Sequence, residues 1–295
     1  MNWDYKRILI LSAVLVIPVL VIICIFLGVK NSGLRKEVSS HENSKTADEP
    51  VYDETSGVYS VSDISVSGSG KGKEDTEDPS DGKKQIYLTF DDGPSANTDA
   101  ILDLLDKYGV KATFFVVGKE DEDSLRLYKR IVDEGHTIGI HSYSHKYNEI
   151  YKSLDSFAND IRTLQELVYE TTGVWPRFYR FPGGSSNTVG SVPVSDLIDY
   201  LNSQDMVYFD WNVVSGDAVD VPPSKDTIVY NCMRGISKYD ECVVLMHDLT
   251  EKKSTVEALD ILIPQLLEME DTVILPISDD TIPVQHVPAQ NTNNN

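Results

Sequence analysis

The apolar residues divide the chain into three stretches. An apolar run without charge extends from Ile8 to Gly28, about the ~20 residues that a helix needs to cross a bilayer. Polar and small residues then dominate up to about Lys84. After Gln85, short apolar runs alternate with amphipathic segments, a pattern typical of β/α units around a parallel sheet.

The third stretch predicts a parallel sheet of seven strands. The predicted strands are 86–90, 112–117, 137–141, 177–181, 207–211, 242–246 and 272–275. Helices are expected between them, and the clearest patterns, each followed by a glycine that can end a helix, cover 97–108, 124–134 and 154–172. Seven strands in ~200 residues fit one barrel-like sheet better than two domains, with active residues at the carboxyl ends of strands.

The first two stretches predict a single-pass protein of the cell membrane. The apolar run is longer than the core of a signal peptide and has no A-x-A-like cleavage site after it, so we expect a retained anchor. The Ser-, Gly- and charge-rich stretch is typical of a disordered tether with a reach of about 40 Å. The predicted organisation is an anchor over 1–30, an extracytoplasmic linker over 31–84, a catalytic domain over 85–280 and a disordered tail over 281–295.

Charge and cysteine content narrow the possible partners. The chain has 26 basic and 47 acidic residues, and its formal charge of -21 argues against binding nucleic acid, because phosphates would be repelled. Three cysteines are too few for a disulfide scaffold. Cys232 and Cys242 could form a bridge outside the cell or remain two buried thiols, and the sequence leaves both possibilities open.

Two predicted strands end in residues suited to metal chemistry. The first ends in the adjacent carboxylates Asp91 and Asp92, which could also merely begin a turn. The third leads into His141 and His145, whose i and i+4 spacing suits a metal pair. Two histidines with one carboxylate suit zinc hydrolysis and, in other folds, non-haem iron. His136 is expected at a strand entry, and His41 and His286 are expected in loose segments, so these three histidines are given no role.

Five motifs at these strand ends resemble, in order, those of the polysaccharide deacetylases, the NodB-homology group of carbohydrate esterases. The resemblance covers roughly residues 84 to 277. The matching segments are Thr89–Pro94 with T-F-D-D-G-P, His141–His145 with H-[ST]-x-[ST]-H, Arg180–Gly184 with R-x-P-[YF]-G, Asp210-Trp211 with the end of D-x-x-D-W, and Leu245–Asp248 with L-x-H-D. The resemblance implies a distorted (β/α) barrel of about seven parallel strands.

The resemblance also implies a metal site and a general base. Asp92, His141 and His145 would hold one divalent transition metal, with zinc expected and cobalt the second choice. Asp91 would stay off the metal and act as general base. Arg180 would pair with Asp91, orienting it and keeping it ionised.

The remaining implied roles concern the leaving group and the substrate. His247 would protonate the leaving amine, and the backbone N–H of Gly183 would stabilise the oxyanion. Leu245 and Trp211 would wall the pocket for the acetyl methyl group. The expected substrate is an N-acetylated cell-envelope polysaccharide, above all peptidoglycan, and the catalytic domain is expected to act as a monomer.

Three positions depart from the family pattern. Gly183 stands where the family usually has Tyr or Phe, and Ile140 stands where many members have Asn. Val207 replaces the first Asp of D-x-x-D-W, a carboxylate that partners the catalytic histidine in the family. Asp210 and Asp217 are both candidates to replace it, and the sequence does not choose between them.

The sequence is also compatible with other functions. The same site could deacetylate chitooligosaccharides or O-acetylated xylan, because the same attack by water cleaves esters. With Val207 in place of an acid, the chain could instead be a catalytically weak glycan-binding homologue. An iron oxygenase would leave Asp91, Arg180 and His247 without a purpose.

Overall fold

The computed structural model describes residues 82–221 and 223–289. The predicted anchor and the predicted linker up to residue 81 lie outside these residues. Within the described part of the chain, no helix is both long and apolar enough to span a membrane.

Eight strands and seven helices alternate along the described chain. The strands are β1 (Lys84–Asp91), β2 (Thr113–Val117), β3 (Thr137–Ser142), β4 (Phe178–Tyr179), β5 (Val207–Tyr208), β6 (Val213–Val214), β7 (Glu241–His247) and β8 (Thr272–Ile274). The helices are α1 (Thr98–Lys107), α2 (Glu122–Asp133), α3 (Tyr147–Ile150), α4 (Leu154–Thr172), α5 (Val194–Ser203), α6 (Lys225–Ile236) and α7 (Lys253–Leu267). All seven predicted strands are present, and the additional β6 has only two residues, too few to produce a recognisable pattern.

The strands form one parallel sheet that curls into an open barrel. Its strand order is β5-β4-β3-β2-β1-β7-β6, and β8 pairs with β1 outside this path. β7 pairs along β1 from Gln85 to Asp91, while β8 and β2 share the opposite edge of β1. Among the described residues no ladder joins β5 to β6. The predicted barrel-like parallel sheet is therefore confirmed in its strand direction and helix alternation, with an open seam.

Both faces of the central strand are buried, which explains its continuous apolar run. Ile86, Leu88 and Phe90 belong to the large cluster under the helices, and Tyr87 packs in a smaller cluster that includes Phe115, Phe209 and Val243. Alternate residues of a strand point to opposite faces. A strand buried on both faces is expected in a parallel sheet covered by helices.

Helix α4 shows how local sequence sets the ends of an element. Ser153 precedes it, and its hydroxyl accepts a hydrogen bond from the amide of Ser156 at 3.1 Å. Gly173 ends it with a φ of 76°, a conformation that favours glycine. The bounds of α4 agree with the predicted range of 154–172.

Residues 281–289, the first part of the tail predicted over 281–295, are described by the structure and contact the sheet and the large apolar cluster. The carbonyl of Val284 accepts a hydrogen bond from the amide of Asp210 at 2.7 Å. Val287 and Ala289 pack against the large apolar cluster. The contacts reach strands distant in sequence, so no local pattern could have indicated them.

The two cysteines of this region are free thiols, which decides the alternative left open by the sequence. Cys232 lies in α6 and Cys242 in β7, and both are buried. Burial raises the pKa of the Cys232 thiol to about 12 and that of Cys242 to about 11.

Candidate active site

Strand register brings the predicted site residues to one end of the barrel. Asp91, the last residue of β1, is paired in register with Phe115 of β2 and with His247 of β7. His141 lies near the end of β3, and Arg180 directly follows β4. Because parallel strands end at the same edge of a sheet, residues far apart in sequence share one site.

Asp92, His141 and His145 form a cluster that could hold a metal ion. One ligand atom from each lies within 4.8 Å of the others. Asp92 Oδ1 lies 3.2 Å from His145 Nε2 and 3.5 Å from His141 Nε2. This oxygen is buried and has no hydrogen-bond partner among the described residues. A buried carboxylate oxygen facing two imidazole nitrogens fits a divalent metal, because such an oxygen otherwise costs stability.

The two histidines are oriented by groups outside the cluster. His141 Nδ1 lies 2.8 Å from the carbonyl oxygen of Arg180, so Nδ1 carries the proton and Nε2 is left with a lone pair for a metal. The amide of His145 donates to Ser142 Oγ at 2.8 Å. His145 has a φ of 49°, which a non-glycine residue adopts only when surrounding contacts hold it there.

Asp160 in α4 braces this loop and was missed by the sequence analysis. Its carboxylate accepts hydrogen bonds from Ser142 Oγ at 2.9 Å and from the amides of Tyr143 at 2.8 Å and Ser144 at 3.0 Å. Asp160 is buried beside Ile161 on the inner face of the helix. A carboxylate on the apolar stripe of an amphipathic helix was the signal that could have revealed it.

The turn after β1 is held in a similar way. Asp92 has a φ of 72°, and its carbonyl lies 3.4 Å from the ammonium group of Lys119. Asp248 is buried, and its carboxylate accepts from Ser95 Oγ at 2.6 Å and Thr98 Oγ1 at 2.5 Å, which ties this turn to the end of β7. These contacts surround Asp92 in its left-handed backbone conformation, from which its Oδ1 faces the two histidines.

Asp91 forms a buried ion pair with Arg180. The guanidinium NH1 donates to Asp91 Oδ1 at 2.9 Å and to Thr89 Oγ1 at 2.6 Å. Its Nε and NH2 donate to the carbonyls of Phe209 at 2.9 Å and Asp210 at 3.0 Å. Arg180 is fully buried, and its donors are occupied in several directions, so the guanidinium holds the Asp91 carboxylate in one orientation.

His247 is paired with Asp217, which answers the question left open by Val207. His247 Nδ1 lies 2.7 Å from Asp217 Oδ1, and the His247 amide donates to Asp217 Oδ2 at 2.9 Å. Thr255 Oγ1 donates to the same Oδ2 at 2.8 Å. Burial disfavours the imidazolium, but the charge and hydrogen bond of Asp217 outweigh it and raise the pKa of His247 to about 9.

Comparison with known proteins identifies the family of this chain. The polysaccharide deacetylase family model matches residues 78–192. The catalytic domain of a peptidoglycan N-acetylglucosamine deacetylase from Eubacterium rectale is 39% identical in sequence, covers 74% of this chain and 98% of its own, and superposes with a TM-score of 0.65. The chain belongs to the polysaccharide deacetylase family.

Two curated relatives extend the comparison. A peptidoglycan-N-acetylglucosamine deacetylase from Bacillus cereus is 35% identical over 191 residues, which cover 62% of this chain. That alignment covers 64% of the relative, so the chain spans less than two thirds of its length. The putative polysaccharide deacetylase YheN from Bacillus subtilis is 29% identical over 89% of this chain and 92% of its own.

Asp210 was the other candidate partner of His247, but in this member of the polysaccharide deacetylase family it lies elsewhere. Its carboxylate accepts from the amide and hydroxyl of Ser185 at 2.8 and 2.5 Å and from the amide of His286 at 2.8 Å. Asp210 therefore holds the loop after β4 and does not partner His247. Val207 lies in β5, paired with Phe178.

Tyr147 occupies the space over Gly183, where this chain lacks the aromatic residue usual in the family. A Cβ atom on Gly183 would lie 3.0 Å from the Tyr147 ring, and Gly183 has a φ of 77°. The Tyr147 ring also stands edge-on to His145, with centroids 5.7 Å apart. An aromatic side chain from α3 thus borders the Gly183 loop, and because Tyr147 lies outside the five motifs no sequence signal marked it.

The other two predicted pocket residues lie at the same end of the sheet. Leu245 is on β7 two residues before His247, so both side chains point to the same face. Trp211 follows β5, and a Cβ atom on Gly184 would lie 3.1 Å from its ring. The ring centroid of Trp211 is 5.8 Å from the Arg180 guanidinium carbon.

Proposed function

We propose that this protein is a metal-dependent hydrolase that removes N-acetyl groups from an N-acetylated glycan of the cell envelope, most of all peptidoglycan. One observation carries the proposal. The adjacent carboxylates at the end of β1 have different partners, since Asp91 faces the guanidinium of Arg180 while Asp92 faces two imidazoles. This division suits one carboxylate for proton transfer and the other for holding a metal.

Asp92, His141 and His145 are the residues that would hold the metal, with zinc proposed and cobalt the alternative. When bound, such an ion lowers the pKa of a water molecule and polarises a carbonyl group. Elemental analysis of protein prepared without chelator tests the site. We expect one transition metal per chain in the parent and none in an Asp92→Ala, His141→Ala double variant, and full occupancy in that variant would exclude these ligands.

The protein's own groups would move two protons. Asp91 is suited to accept a proton from the attacking water while Arg180 holds its carboxylate in place. The imidazolium of His247 would donate a proton to the amide nitrogen as the carbon–nitrogen bond breaks, giving acetate and a free amine. The amide of Gly183 would stabilise the oxyanion, and Leu245 and Trp211 would enclose the acetyl methyl group.

The choice of peptidoglycan rests on two considerations. Proteins similar to this chain carry the name peptidoglycan N-acetylglucosamine deacetylase. The sequence also predicts a membrane helix over 8–28 and a tether, which would hold the catalytic domain outside the cell at a distance of about 40 Å. We propose a single-pass membrane location on this basis.

The decisive assay compares acetate release from intact peptidoglycan, chitooligosaccharides and O-acetylated xylan, followed by mapping of the free amines. We expect release from peptidoglycan with amines on its sugars. Release from xylan alone would identify an O-deacetylase instead. Binding without release from any of the three would identify the catalytically weak glycan-binding homologue.

A further inference from the structure

The C-terminal strap, residues 284–289, connects the two loops that border the candidate substrate site. The Val284 carbonyl accepts from the amide of Asp210 at 2.7 Å. The amide of Val287 donates to Ser185 Oγ at 3.0 Å, and the hydroxyl of Tyr208 donates to the Val287 carbonyl. The strap is therefore attached both to the end of β5 and to the loop after β4.

His286 is the residue of the strap that contacts Trp211. Its Nε2 lies 2.7 Å from the Trp211 carbonyl oxygen and donates to it. The two rings meet edge to face, with centroids 5.1 Å apart and planes at 81°. The His286 amide donates to Asp210 Oδ2 at 2.8 Å. One histidine thus contacts both Asp210 and Trp211, shortly after β5.

The Trp211 ring depends on such outside contacts for its orientation. Its indole N–H is buried and has no hydrogen-bond partner among the described residues. No polar contact of the indole itself therefore fixes the ring, and packing must do so. On one side lies the Gly184 backbone, on another the Arg180 guanidinium, and the edge of the ring meets His286.

We propose that His286 is a positioning residue for substrate binding, which acts by holding the Trp211 ring in place. This inference rests on the proposed function, because Trp211 is assigned there to the acetyl pocket. The strap contributes no side chain to proton transfer, since the pairs Asp91–Arg180 and His247–Asp217 have their partners elsewhere. The strap should therefore affect substrate binding and leave the chemical step unchanged.

Steady-state kinetics of the full-length chain tests the binding role. His286→Ala should raise KM about three- to tenfold, the effect of one lost hydrogen bond, with kcat within about twofold. His286→Gln should recover most of the loss, because its amide can donate to the Trp211 carbonyl. Ile282→Ala is the matched control, since that side chain is 65% exposed just before the strap. A fall in kcat at unchanged KM, or equal effects of His286→Ala and Ile282→Ala, would overturn the proposal.

Tryptophan fluorescence tests the positioning role without any substrate. The chain has three tryptophans, so Trp3→Phe with Trp175→Phe leaves Trp211 as the only tryptophan, which can be excited selectively over the tyrosines. In this background His286→Ala should shift the emission to longer wavelength, and His286→Gln should restore it. An unchanged emission would contradict the inference even if the enzyme is active. A parent without deacetylase activity would contradict the proposed function, while the emission shift would still support the positioning of Trp211.

Discussion

The candidate active site has a base half, Asp91 with Arg180, and an acid half, His247 with Asp217. The reacting group is the carboxylate in the first pair and the imidazole in the second. In the base half, a carboxylate that accepts a proton, Asp91, is paired with Arg180, which stays charged at every relevant pH. In the acid half, the titratable His247 is paired with the carboxylate of Asp217. Arg180 thus places a positive charge beside Asp91, and Asp217 favours the imidazolium form of His247, so the two working groups lie in environments of opposite charge.

The two halves also differ in whether their residues belong to the five sequence motifs. The base half is built from motif residues, and both Asp91 and Arg180 were named from the sequence. The acid half depends on Asp217, which lies after β6, outside the five motifs, and on Thr255 at the start of α7. The comparison indicates that a motif can specify a reacting group while its tuning partner comes from another element.

Removing the base should give the largest effect. Asp91→Asn keeps the size of the side chain but cannot accept the proton, so kcat should fall about 10²–10⁴-fold, the usual contribution of a general base. Metal content should remain at one per chain, because Asp91 is not among the three clustered ligands. Turnover within about tenfold of the parent would place the base elsewhere.

Removing Asp160, which holds the segment between His141 and His145, should have the next largest effect. Asp160→Ala leaves the hydroxyl of Ser142 and two amides without their acceptor, so metal affinity measured by chelator competition should fall about 10–100-fold. Asp160→Asn retains one acceptor oxygen and should lie between the parent and the alanine variant. Unchanged metal affinity in both variants would mean that the loop keeps its shape without this carboxylate.

The acid half predicts a pH effect with a definite sign. Asp217 raises the pKa of His247 to about 9, so Asp217→Asn should move the alkaline limb of kcat/KM downward by about one unit or more. Asp210→Asn is the control and should leave that limb in place. The raised pKa also stabilises the folded state below about pH 6.5, and this stabilisation should be lost as the pH rises through about 9. A limb that moves only in Asp210→Asn would reverse the assignment.

The smallest effect should come from Thr255→Val, which separates charge from hydrogen bonding in the acid half. The substitution removes one donor to Asp217 but leaves its charge next to His247. We expect the free energy of unfolding, measured by urea denaturation, to fall by about 1 kcal/mol. The alkaline limb should move by less than about half a unit, because the carboxylate is still present. A shift as large as that of Asp217→Asn would show that the donor, not the charge, controls the imidazole.

The sequence predicted well where the physical cause is local. The central parts of β1 and β7 are mainly apolar because both faces of these strands are buried, and α4 carries its own stop signal in Gly173. The motif residues lay at predicted strand ends, so their convergence at one edge followed from parallel strand geometry. The two-residue β6 and the ordered strap left no such pattern, since backbone contacts with distant loops hold them.

The sequence by itself determined the family, the parallel sheet and the residues that carry the proposed chemistry, because each depends on residue type and spacing along one strand or turn. Only the tertiary structure decided that Asp217 and not Asp210 faces His247, that Asp160 braces the metal loop, and that Cys232 and Cys242 stay unlinked. The contacts of Asp217 and Asp160 join segments from different elements, and the positions of the two cysteines also depend on how a helix packs on a strand. Their partners are selected by how the strands and helices pack in space, and no periodicity along the chain records that packing.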